Sequence, residues 1–89
     1  MELDKEFIDA RDDASRAVWN MLINNGIPND KIHLYHQHIM SGVVTTGGYR
    51  ELIIECSNSQ ERINEMITRA SQAILSNRQR KPREELRDR

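Results

Sequence analysis

Apolar residues recur at three- and four-residue intervals at both ends of the chain, and the middle alternates instead. Leu3, Phe7, Ala10, Ala14, Val18 and Met21 form one stripe at helical spacing, the period of a buried helix face. Asp4 is placed to cap the first turn, with Leu3 and Ile8 positioned as a hydrophobic staple. At the far end Asn24-Asn25-Gly26-Ile27-Pro28 stops the helix: Gly26 accepts a left-handed conformation, Ile27 can fold back on Leu22, and Pro28 forbids continuation. The pattern predicts a helix from Lys5 to Asn25. Its second half, Ala17 to Ile23, is apolar almost all round, so Trp19, off the main stripe, is a candidate for contact beyond the chain's own core.

From Lys31 onward the reading changes to strands. Pro28-Asn29-Asp30 reads as a turn into an extended segment, and no Gly or Pro interrupts the chain again until Gly42. Thr45-Thr46-Gly47-Gly48 reads as a hairpin turn, followed by a shorter returning strand from Tyr49 to Cys56. With Gly47-Gly48 as a two-residue turn, Val43 opposes Leu52, Ser41 opposes Ile54 and Ile39 opposes Cys56. A three-residue loop instead pairs Met40 with Ile54 and His38 with Cys56. The last helix begins after Ser57-Asn58-Ser59, with Ser57 and Gln60 or Asn58 and Glu61 at capping-box spacing. Its inner stripe is Ile63, Met66, Ile67, Ala70, Ala73 and Ile74, with Glu61, Arg62, Glu65 and Arg69 outside; Pro82 predicts an interruption.

The predicted fold is α+β: a helix–β-hairpin–helix (αββα) domain over residues 1–77, with two helices on one face of an antiparallel sheet, and a basic, flexible tail over 78–89. The element order resembles that of small double-stranded-RNA-binding domains and dimeric nucleoid-associated proteins. Both have a further strand, and no site is carried over. The long strand outruns its partner, and an unpaired strand edge is a template for another strand. The expected homodimer therefore extends the sheet through Lys31, Ile32, His33, Leu34, Tyr35 and His36, with Trp19 alongside.

Composition supports association. An 89-residue chain with 37% hydrophobic residues and 30% charged ones builds a thin core on its own. Formal net charge is −1, which argues against a dominant nucleic-acid or membrane surface. Charge is uneven, however: residues 1–30 hold seven acids and three bases, and residues 78–89 hold six bases and three acids. No apolar run reaches membrane-span length. Cys56 is the only cysteine, in keeping with a reducing compartment, and the expected location is cytoplasmic.

Candidate chemistry is sparse. No nucleophile elbow, phosphate loop or complete metal signature occurs, and neither enzymatic activity nor a cofactor is expected. The expected role is a small homodimeric binding or regulatory protein that docks on another macromolecule, foremost a protein. The docking face is the outer sheet face carrying His38, Met40, Val44, Tyr49, Glu51, Ile53 and Glu55, whose mixed apolar and acidic character suits a protein partner. An alternative is nucleic-acid binding through Arg78, Arg80, Lys81 and Arg83, which can neutralise phosphates. A further alternative is a metal or small ligand at His36, His38 and Cys56, since alternate strand residues share a face and the three-residue loop sets Cys56 opposite His38.

Overall fold

The computed structural model describes the backbone of residues 4–87 and the side chains of residues 4–76. The described residues form four helices: α1 (Lys5–Asn24), α2 (Asn29–Ser41), α3 (Thr46–Cys56) and α4 (Gln60–Arg87). No strand occurs among the described residues. The expected antiparallel sheet, its hairpin and the α+β class are therefore overturned, and with them the sheet shared across a homodimer and the likeness of element order. No helix among the described residues is long and apolar enough to cross a membrane.

The physical reason for the correction lies in a second periodicity. Ile32, Tyr35, His36, Ile39, Met40 and Val43 recur at i, i+3, i+4, i+7, i+8 and i+11, which is also one helix face. Ile32 and Ile39 are buried, and Tyr35, Met40 and Val43 pack against the core. Tyr49, Leu52, Ile53 and Cys56 repeat the pattern in α3, where Tyr49, Leu52 and Cys56 are buried. Thr45 is not a hairpin residue but an N-cap: its Oγ1 accepts from the Gly48 N–H at 3.0 Å, satisfying one of the donors that a helix start leaves unpaired.

Caps set the other boundaries. Asp4 Oδ1 accepts from the Glu6 N–H at 3.3 Å. Gly26 has φ +81°, the Ile27 N–H donates to the Leu22 carbonyl and the Gly26 N–H to the Ile23 carbonyl, both at 3.1 Å. These paired bonds form the Schellman closure expected from the sequence. The start of α4 differs from expectation: Ser59, not Ser57 or Asn58, is the cap, its Oγ accepting from the Arg62 N–H at 3.3 Å. Because α3 extends to Cys56, Ser57 and Asn58 are consumed in the turn. The helical backbone of α4 continues past Pro82 to Arg87.

Packing follows a ring. α1 contacts α2 and α3, and α4 closes the other side against those same two helices. The four-residue connection from Asn25 to Pro28 folds α2 back along α1, which brings His36 to Ser15. α3 starts beside the beginning of α1, where Phe7 and Tyr49 stack edge to face at 5.4 Å and Arg50 lies 3.7 Å from Glu6. At the opposite end Gln60 Nε2 donates to Asn25 Oδ1 at 2.6 Å, and Asn25 Nδ2 donates to the Met21 carbonyl at 2.7 Å. The end of α1 is thus tied to the start of α4. Ala14, Val18, Leu22 and Ala70 are fully buried.

Two glycines next to each other in α3 serve different purposes. A Cβ at position 48 would stand 2.8 Å from Val43 Cγ1 and 3.0 Å from Thr45 Oγ1, whereas a Cβ at position 47 meets nothing within 4 Å. Gly47→Ala is expected to stabilise the chain by about 0.5 kcal/mol, the usual gain of Ala over Gly in a helix. Gly48→Ala is expected to lower Tm, because crowding against Val43 outweighs that gain. Thermal unfolding of both variants checks the assignment, and equal increases in Tm contradict it. Gly26→Ala is expected to cost about 1–2 kcal/mol, since a Cβ strains the left-handed conformation; denaturant titration measures it.

Candidate docking groove

Because α2 and α3 pack on α1 and α4 rather than on each other, the space at their connection is left open. Two adjoining cavities occupy it. One, of about 270 Å³, lies where the end of α2 and the side of α3 meet α4. The other, of about 300 Å³, lies along the Gly42–Thr45 turn and the outer side of α3. They share Gly42, Val43, Leu52 and Glu55 and so form one groove. Ile39, Val43, Leu52 and Met66 supply its apolar floor, and Val44, 76% exposed, stands at its lip.

The rim is charged and uneven. Glu51 borders the α3 end, His38, Arg62, Glu65 and Arg69 border the α4 end, and Glu55 borders both. Among the described residues, ion pairs form at Arg11–Asp12 (3.9 Å), Arg16–Asp13 (3.6 Å) and Arg50–Glu6 (3.7 Å), all involving α1. Glu51, Glu55, Arg62, Glu65 and Arg69 belong to none of these ion pairs.

The structure brings together four of the seven residues expected on the outer sheet face: His38, Val44, Glu51 and Glu55. The other three separate from them. Tyr49 is buried against Phe7, and Met40 and Ile53 pack on the core. The reason is periodicity: alternate residues share a strand face but lie about 200° apart on a helix. Sequence reasoning placed Arg62, Glu65 and Arg69 on a solvated face and missed that α2 and α3 border it. The signal was present in the helical spacing of Ile32, Ile39 and Val43 and, separately, of Tyr49, Leu52 and Cys56, which becomes decisive only once the central segment is read as two helices.

The residues expected at the strand edge do not form one. Lys31, His33 and Leu34 are exposed on α2, Ile32 is buried, and Tyr35 packs against the core. His36 turns toward α1, with Nε2 3.0 Å from Ser15 Oγ and 3.2 Å from the Ser15 carbonyl oxygen. A carbonyl only accepts, so the tautomer carrying hydrogen on Nε2 fits this geometry. Trp19 stacks edge to face on His36 at 5.3 Å and remains 40% exposed. Ile23, one turn further along α1, is also exposed. The unpaired strand edge that implied a homodimer is absent among the described residues.

The proposed ligand trio is likewise dispersed. His36 faces Ser15, His38 borders the groove and Cys56 is in the core. Among the described residues no group of three or more His, Cys, Asp or Glu side chains is placed to hold a metal ion. Arg78, Arg80, Lys81 and Arg83, named for nucleic acid, lie outside the residues whose side chains are described.

Burial, reinforced by the negative charge of Glu55, pushes the Cys56 thiol up to about 11. The thiolate is the reactive form, so native Cys56 is expected to react with a disulfide reagent at least ~10-fold more slowly than the urea-unfolded chain at pH 8. The neutral thiol is favoured in the folded state, while the unfolded thiol ionises near its ordinary 9.0. Its contribution to stability is therefore present below pH 9 and declines as pH rises toward 11. Urea titrations at pH 8 and pH 10 of the wild type and Cys56→Ala test the sign: the difference between them is expected to shrink at the higher pH. Comparison with protein-family models, curated proteins and solved structures gave no match.

Proposed function

We propose that this chain is a non-enzymatic binding protein that docks on another protein through the groove between the end of α2, α3 and α4. The observation that carries the reading is an open apolar floor ringed by charges that have no ion-pair partner within the described domain. An apolar centre with a polar rim is the usual anatomy of a protein–protein contact. Charges on such a rim favour correct partners and orientations more than they add raw affinity.

The mixed sign of the rim favours protein over nucleic acid. A phosphate backbone rewards a uniformly basic surface, whereas Glu51, Glu55 and Glu65 border this groove. A lone buried thiol suits a reducing compartment, and the cytoplasm is the location we propose.

Site-specific photocrosslinking separates the readings. A photoreactive residue at Val44, on the lip, and another at Asp9, on α1 and outside both cavities, are placed in turn in the full chain in its native cells. Discrete protein adducts from position 44 that are absent from position 9 are expected. Adducts to nucleic acid alone, identical adducts from both positions, or none from position 44 contradict protein docking at this groove.

A further inference from the structure

The charge around the groove is uneven along its length: one cavity is lined by carboxylates alone among its charged groups, and the other by both signs. At the α3 end, Glu51 and Glu55 stand one turn apart on the same helix side, and no basic side chain lines that cavity. Like charges at i, i+4 repel and weaken a helix. In the free chain neither carboxylate is in an ion pair with a described residue, so the domain gains no ion pairing from keeping both. At the other end Arg62 and Arg69, two turns apart on α4, border the floor together with Glu55 and Glu65, and neither arginine is in an ion pair with a described residue. Between the two ends lie the apolar side chains of Ile39, Val43, Leu52 and Met66.

We propose that the groove receives a segment of a partner protein with opposite charges at its two ends. Its lysine or arginine is held by Glu51 and Glu55, an apolar side chain fills the floor, and its aspartate or glutamate is held by Arg62 and Arg69. The occupant's chemistry follows from complementarity. A cationic side chain relieves the repulsion between the two glutamates, and a carboxylate matches the forked donors of arginine. A uniformly basic segment meets Arg62 and Arg69 with like charge, and a uniformly acidic one meets Glu51 and Glu55 so. Juxtaposed like charges exclude wrong partners. Glu65, between the two arginines on α4, and Glu55, which borders this cavity too, place two carboxylates beside the two guanidiniums, so the partner's carboxylate is selected by direct contact with Arg62 and Arg69 and not by the net charge of that end.

The inference rests on the docking reading above, and the two fail separately. Three fluorescently labelled synthetic peptides with the same leucine-rich centre are titrated against the full-length chain. One has a lysine pair at one end and a glutamate pair at the other, one has lysines at both ends, and one has glutamates at both. The mixed peptide is expected to bind about 10-fold more tightly than either uniform one, the effect of a few exposed charge pairs acting together. In Glu51→Lys/Glu55→Lys the preference is expected to pass to the peptide with glutamates at both ends. In Arg62→Glu/Arg69→Glu it is expected to pass to the peptide with lysines at both ends. All four positions are exposed or half-buried and outside the core, and circular dichroism verifies that each variant keeps its helices. Equal binding of the three peptides, no binding, or a preference the charge reversals leave unchanged overturns the proposed occupant. Protein adducts from position 44 alongside any of those results retain docking and reject only its charge pattern. A chain dimer that the mixed peptide dissociates assigns the groove to a second copy and also overturns the proposal.

Discussion

Close approach to α1 is the constraint on which the rest of this structure depends. Ala10, Ala14 and Val18 lie on its buried face, and side chains that small let α2 and α3 both settle on the same helix. Each then presents its remaining apolar side to α4, whose Ile63 and Ala70 complete the core. A larger residue at position 14, which is fully buried, would push one neighbour off and open the ring. The Asn25–Gln60 hydrogen bond and the Phe7–Tyr49 contact tie the ring at its two ends, so the chain closes on itself without a sheet.

The groove is a consequence of the same arrangement. Two helices held by a third and capped by a fourth need not touch each other, and α2 and α3 diverge at the Gly42–Thr45 turn. Gly48 shapes that turn because its missing side chain lets Val43 rest 2.8 Å from where a Cβ would stand. The charges then divide by location. Glu6, Arg11, Asp12, Asp13 and Arg16 on α1 find partners there or at Arg50, while among the described residues those around the groove form no ion pair. Surface ion pairs are individually weak, so the contrast bears on recognition rather than on stability.

The apolar stripes of the two outer helices were legible in the sequence because they run long, and the punctuation of α1 was legible because it is chemical, whereas α4 is capped by Ser59 and runs past Pro82. The Schellman closure at Gly26 and the cap at Asp4 appear where the residues predict them. The middle was not legible, because Lys31 to Cys56 satisfies two periods at once. Ile32, Leu34, His36, His38 and Met40 alternate like a strand, while Ile32, Tyr35, His36, Ile39 and Met40 repeat like a helix. Isoleucine, tyrosine and histidine add no strong helix preference to break the tie. Thr-Thr-Gly-Gly is similarly double: glycines after a threonine suit a hairpin turn, and a threonine before a tolerant first turn suits an N-cap.

By itself, then, the sequence determined the bounds and caps of α1, the inner stripe of α4, and the uneven distribution of charge, because each of these depends on residues within a few turns of one another. Only the tertiary structure decided that the centre is two helices, that His36 turns to Ser15 while His38 borders a groove, and that Arg62, Arg69, Glu51 and Glu55 come to ring one apolar floor. Those outcomes depend on which face of each helix α1 and α4 can cover. Burial of Ile32, Ile39, Tyr49 and Leu52 against neighbours distant in the chain favours the helical period over the alternating one, and a local pattern carries no record of those neighbours.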